Sequence, residues 1–117
     1  MRQFAVIGLG RFGSSVARTL SEKGKEVLGI DSREQIVQEM SEVISQAVCL
    51  DAKDDKALKA VGIQQIDVAV VAIGDLEASI LITLTLKEMG IKEIVAKAVT
   101  EDHKKVLEKI GATRIVM

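Results

Sequence analysis

Ten residues near the start of the chain, Phe4-Ala-Val-Ile-Gly8-Leu-Gly10-Arg-Phe-Gly13, limit the fold more than any other part of the sequence. A short apolar run leads into three glycines spaced G-x-G-x-x-G, and a helix-period segment follows at once. Gly8 permits a tight turn, Gly10 lets the backbone approach a ligand, and Gly13 allows close packing of helix on strand. The unpaired amides of the first helical turn then face an anion.

The rest of the chain repeats this strand-then-helix rhythm. Strands are expected at Gln3 to Gly8, Glu26 to Ile30, Ala47 to Asp51, Val68 to Ile73, Glu93 to Val99 and Arg114 to Val116. Helices are expected at Arg11 to Lys23, Glu34 to Ser45, Asp54 to Val61, Leu76 to Met89 and Glu101 to Ile110. All strands but the last two are strongly apolar, which argues burial on both faces. Gly24, Gly90 and Gly111 fall just past helix ends, and Asp54 and Thr100 at helix starts. The pattern predicts one α/β domain, a Rossmann-like doubly wound parallel sheet of six strands in the order 3-2-1-4-5-6. Its 117 residues leave no room for a second domain. The ending at Met117, directly after the sixth strand, predicts a fragment of a longer chain.

Composition narrows the function. The chain is 48% hydrophobic and 28% charged with net charge −1, has two Phe and has neither Trp nor Tyr. That argues against nucleic acid as the main partner, since neither a basic surface nor stacking platforms are available. A single cysteine, Cys49, excludes an internal disulfide framework and fits a reducing cytosol. Charged residues interrupt every apolar run before it reaches the length of a membrane span.

Asp31 follows Gly13 by eighteen residues at the end of the second strand, where an acid accepts hydrogen bonds from an adenosine ribose. Its carboxylate disfavours the 2′-phosphate of NADP, although Arg33 offers a nearby counter-charge. The other reading of Asp31 is an N-cap for the next helix. Arg11, inside the turn, is placed for a terminal phosphate, or else is a solvated first-turn arginine.

Asp51 and Gly74 fall on the carboxyl edge of the sheet. Asp51 is read as an acceptor for the adenine amino group or simply a polar strand end, and Gly74 as a close approach or a bend. Lys97, in an apolar strand, either points into the cleft or snorkels outward. His103, the single histidine, is read as surface polar, and Cys49 as a small buried apolar residue. Leu76 to Leu86 is apolar around more than half of the helical wheel, which predicts self-association.

No nucleophile has a visible base, and hydride-transfer enzymes on this fold carry a substrate domain, so binding without chemistry is expected. Two alternatives stand beside this. One is an NAD-binding fragment of a 2-hydroxy-acid dehydrogenase, which shares Gly-Leu-Gly-Arg-x-Gly but whose proline-rich loop has no counterpart in a chain without proline. The other is an oligomerising scaffold with a vestigial pocket.

The turn, Glu26-Val-Leu-Gly-Ile-Asp31, Val70-Val-Ala-Ile-Gly74, Leu84-Thr-Leu-Lys-Glu88 with Ile94-Val-Ala-Lys-Ala98, and Lys105-Val-Leu-Glu-Lys-Ile-Gly-Ala112 resemble the nucleotide-binding RCK or KTN domain, also called TrkA-N, of bacterial potassium-uptake regulators. The resemblance covers essentially the whole chain. It implies a cytoplasmic subunit at the inner face of the membrane that dimerises, assembles into an octameric ring, and gates an integral membrane potassium transporter or channel. The implied ligands are ATP and ADP, or NAD and NADH. Gly8, Gly10, Arg11, Phe12 and Gly13 would form the phosphate turn, and Asp31, Ser32 and Arg33 the ribose seat. Asp51 and Ala52 would flank the adenine, with Ile73, Gly74, Lys97 and His103 around the cleft. Family members continue into a C-terminal ligand-binding domain that this chain does not include.

Overall fold

The computed structural model describes residues 2–117. Twelve elements follow in chain order: β1 (Gln3–Ile7), α1 (Arg11–Glu22), β2 (Glu26–Asp31), α2 (Glu34–Met40), β3 (Gln46–Cys49), α3 (Asp55–Ala60), a 3₁₀ turn (Ile63–Gln65), β4 (Val68–Val71), α4 (Leu76–Glu88), β5 (Glu93–Lys97), α5 (Glu101–Ile110) and β6 (Arg114–Val116). The six strands form one sheet in the order β3-β2-β1-β4-β5-β6, and every pairing is parallel. The order expected from the sequence is therefore observed. It reverses between β1 and β4, where a crevice opens at the carboxyl ends of the strands.

Alternation along each strand sorts the core into two layers. Ala5, Ile7, Leu28, Ile30, Ala69, Val71, Ile94 and Ala96 face one way, under Leu58, Ile82, Leu86 and Leu107 of α3, α4 and α5. Val6, Val27 and Val70 face the other way, against Ala17 of α1 and Met40 of α2. Because β1, β2 and β4 are covered on both sides, each carries a continuous run without a polar side chain, Phe4–Ile7, Val27–Ile30 and Val68–Val71.

Local signals set most helix ends. Asp54 accepts from the amides of Lys56 and Ala57, Asp75 from Ala78, and Thr100 from His103. The glycines after α1, α4 and α5 all adopt positive φ. Two expectations need correction. The second helix stops at Met40 rather than Ser45: Val43 and Ile44 donate to the Met40 carbonyl in a turn that drives Ile44 into the core. The space it fills lies over Gly29, where a Cβ would stand 2.5 Å from the Ile44 side chain. The second correction concerns β3, an edge strand that is only half-buried, so Cys49 is exposed, its thiol 3.5 Å from the Ser32 carbonyl. The 3₁₀ turn was not legible in the sequence.

Candidate functional site

The strand β1 ends at Ile7, and the chain must reverse within three residues to begin α1. Gly8 makes this possible with φ +96°, donating its amide to the Ile30 carbonyl at 2.8 Å. A Cβ on Gly8 would strike the Ala72 carbonyl. Gly13 has an ordinary helical position and a different reason to be glycine. Its missing Cβ would overlap the Gly8 carbonyl oxygen and lie 2.9 Å from the carbonyl carbon, so α1 rests directly on the turn. Gly10 is the N-cap of α1 with no side-chain cap, and the nearest atom to a Cβ there is an Arg33 nitrogen at 3.8 Å. The turn thus borders open space at Gly10, just before the first turn of α1.

Asp31 is the hub of the neighbouring wall. Oδ2 accepts from the amide of Leu9 at 2.8 Å, which ties the end of β2 to the glycine turn. Oδ1 accepts from the amide of Arg33 at 2.8 Å, and the Arg33 guanidinium grips both oxygens, Nε to Oδ1 and Nη2 to Oδ2, at 3.0 Å each. Burial pushes the Asp31 carboxyl upward, but the Arg33 side chain, the two amides and the guanidinium charge outweigh it and hold it below its ordinary 3.8. The alternative role for Asp31 as a helix N-cap does not hold, because Arg33 occupies that position in α2 and makes no side-chain cap.

These groups open onto a cavity of about 340 Å³ at the carboxyl edge of the sheet. That volume lies at the lower end of the roughly 300–1,000 Å³ common for small-molecule sites. Of the residues singled out from sequence, Gly8, Gly10, Asp31, Ser32, Arg33, Asp51, Ala52, Ile73 and Gly74 line it. Ile7, Ile30, Leu50 and Ile82 supply an apolar wall, and Lys53 a second cation beside Arg33. Lys53 had no motif to reveal it. It reaches the rim because Asp51 Oδ1 accepts its amide and folds the loop after β3 back over the sheet.

Arg11, Phe12, Gly13, Lys97 and His103 lie outside this lining. Arg11 is exposed at the first position of α1. Lys97 follows Val95 on the α1 side of β5, and its ammonium stands 5.6 Å from the Phe12 ring centre. His103 is fully buried, which corrects the surface reading. Its Nδ1 accepts from the amide of Val99 at 3.1 Å, so a neutral ring carries its proton on Nε2, which then donates to Ser79 Oγ at 3.1 Å. The spacing of His103, Leu107 and Ile110 was the available signal, since it is the inward stripe of α5.

A parallel six-stranded sheet with a glycine turn, an acid ending β2 and a cavity at the topological switch defines a Rossmann-like domain of the nucleotide-binding type. The TrkA-N domain family model matches residues 4–117, and the chain belongs to that family.

The chain is similar to the Ktr system potassium uptake proteins C and A of Bacillus subtilis. It is 49% and 46% identical to them over 116 residues, which is 98% of this chain and 52% of each relative. The chain therefore spans about half the length of these curated relatives. Among solved structures, the TrkA-N domain of the inner membrane protein ybaL from Escherichia coli superposes with a TM-score of 0.92 at 20% identity, over 99% of this chain and 87% of that one, a likeness of fold. The GsuK channel bound to NAD superposes at 0.82 with 28% identity over 99% of this chain and 21% of that one. GsuK bound to ADP gives 0.81 and 28%, over 98% and 30%.

Proposed function

We propose that this domain is the nucleotide sensor of a potassium-uptake regulator: it binds ATP and ADP, or NAD and NADH, at the carboxyl edge of its sheet and gates a membrane potassium transporter or channel. The observation that carries the reading is the junction of Gly8, Gly10 and Asp31 around one cavity in a chain belonging to the TrkA-N family. The names of the Ktr relatives supply the potassium role, and the NAD- and ADP-bound GsuK structures support an adenine nucleotide.

In this reading the first-turn amides of α1 hold phosphates, with Arg11 adding charge for a terminal phosphate, and Phe12 and Gly13 support the turn from behind. Asp31 takes the ribose hydroxyls, which disfavours NADP, and Ser32 and Arg33 flank it. Asp51 and Ala52 border the adenine, with Ile73 and Gly74 opposite. Lys97 and His103 act from outside the cavity, one against Phe12 and one beneath the β5–α5 turn.

The domain is a regulatory module rather than an enzyme, and the relatives' names point away from the dehydrogenase alternative. Its exposed Leu76, Leu81 and Leu84 on α4 and Val106 on α5 support self-association into dimers and a larger ring, octameric in this reading. The module works in the cytoplasm against a membrane partner. A C-terminal ligand-binding domain beside this one belongs to the same reading, which the length of the Ktr relatives, of which this chain covers 52%, supports.

Calorimetric titration of all four nucleotides into wild-type protein and Arg11→Ala tests the reading. At least one nucleotide pair should bind saturably, and Arg11→Ala should weaken ATP more than NADH. Failure of all four to bind at millimolar concentration refutes the sensor; equal losses for ATP and NADH refute the terminal-phosphate role of Arg11.

A further inference from the structure

The Asp31 carboxylate already has a full complement of donors. A carboxylate offers about four lone-pair directions. Here four N–H groups use them: the amides of Leu9 and Arg33, and Nε and Nη2 of the Arg33 guanidinium. The two amides belong to the backbone of the turn and of the β2–α2 connection, and they cannot leave without unfolding that edge. The guanidinium can leave. Its side chain is 60% exposed whereas that of Asp31 is 5% exposed, so one partner is fixed and the other swings on a solvated stem. The guanidinium also sits at the cavity rim, with Nη2 nearest to the vacant Cβ position of Gly10 at 3.8 Å.

We propose that Arg33 is a latch on the ribose seat, holding the Asp31 carboxylate in the free domain so that the hydroxyls of an incoming nucleotide must displace it. The inference rests on the nucleotide reading above. When ribose hydroxyls donate to Asp31, they replace two charge-assisted bonds from the guanidinium, and the carboxylate remains satisfied throughout. The latch therefore lowers the gain from ribose recognition without altering the phosphate seat. It also keeps a buried carboxylate paired whenever no nucleotide is present, which is the physical need it meets. Released Arg33 remains tethered at the rim, within the length of its own side chain of the glycine turn.

The test isolates the hydroxyls from the phosphates. ADP and 2′,3′-dideoxy-ADP carry the same diphosphate and base, so any direct effect of Arg33 on the phosphates cancels in the ratio of the dideoxy-ADP dissociation constant to that of ADP. That ratio is measured by calorimetry for wild-type protein, Arg33→Ala and Arg33→Lys. It should rise roughly two- to fivefold in Arg33→Ala, the span set by an ion pair with one exposed partner. In Arg33→Lys, which keeps the charge but not the two-pronged grip, it should rise less.

A ratio unchanged or lower in Arg33→Ala overturns the latch while leaving nucleotide binding intact. Equal affinities for the two ligands in all three proteins overturn it as well, by removing Asp31 as the ribose acceptor. No binding of either ligand to any of the proteins overturns the latch, and overturns the sensor reading with it only where ATP, NAD and NADH also fail to bind.

Discussion

Replacing Gly13 by alanine adds one methyl group at the tightest contact of the glycine turn, and the structure sets the size of the effect. The new Cβ would overlap the Gly8 carbonyl oxygen and crowd Ala72 Cβ at 3.2 Å. Neither obstacle is a flexible side-chain tip. Gly8 is pinned by its bond to the Ile30 carbonyl, and Ala72 by its bond to the Ile7 carbonyl. Relief requires α1 to lift off the sheet. Overpacking of this kind costs about 1–3 kcal/mol, and an immovable backbone puts Gly13 at the upper end, about 3 kcal/mol. Helix propensity acts the other way, since alanine in α1 gains up to about 1 kcal/mol over glycine. The net loss is about 2 kcal/mol. Unfolding entropy near 2.1 cal/mol/K per residue gives about 0.25 kcal/mol/K for 117 residues, so Tm should fall by roughly 8 °C. Gly74→Ala is the matched control: a Cβ there meets nothing within 4 Å and no positive φ is involved, so Tm should stay within about 2 °C. Melting curves followed by circular dichroism decide the matter. A Gly13→Ala protein that melts within about 2 °C of wild type, or above it, refutes the argument that the turn is closed by helix-on-strand contact.

Other perturbations probe the remaining parts of the site. Asp31 is held below its ordinary carboxylate value when folded, so its stabilisation is present above about pH 3.8 and disappears as pH falls through the lowered folded value. The gap in urea midpoint between wild type and Asp31→Asn should therefore narrow from pH 6 towards pH 3; a constant gap contradicts the ion pair. Thr83 Oγ1 is buried with no hydrogen-bond partner among the described residues, so Thr83→Val should leave stability unchanged or raise it by up to about 1.5 kcal/mol. A loss of more than about 1 kcal/mol in urea denaturation would mean that this hydroxyl has a partner after all. The double variant Leu81→Glu with Leu84→Glu should reduce self-association in light scattering, and a mass identical to wild type would place the contact elsewhere.

Much of this molecule was readable in one dimension because its causes are local. The order of elements follows from the switching of hydrophobic period, and the glycine turn from three residues within six positions. Caps at Asp54 and Thr100, and the left-handed glycines after α1, α4 and α5, depend only on their immediate neighbours. The cavity residues Gly8, Gly10, Asp31, Asp51 and Gly74 followed from one further rule, that strand ends of a parallel sheet gather on one edge.

Tertiary structure decided what depends on distant segments. Cys49 reads as core, yet β3 is an edge strand and the helix expected to run on to Ser45 has ended at Met40. His103 reads as polar surface, yet Ser79, twenty-four positions away, meets its Nε2 beneath α4. Asp31 was visible as an acid at the right place. That its carboxylate would already be filled, by the Leu9 amide from the turn after the adjacent strand β1 and by a folded-back Arg33, was not visible. Burial and hydrogen-bond partnership belong to pairs of residues, and for such pairs the fold, not the order along the chain, sets the distance.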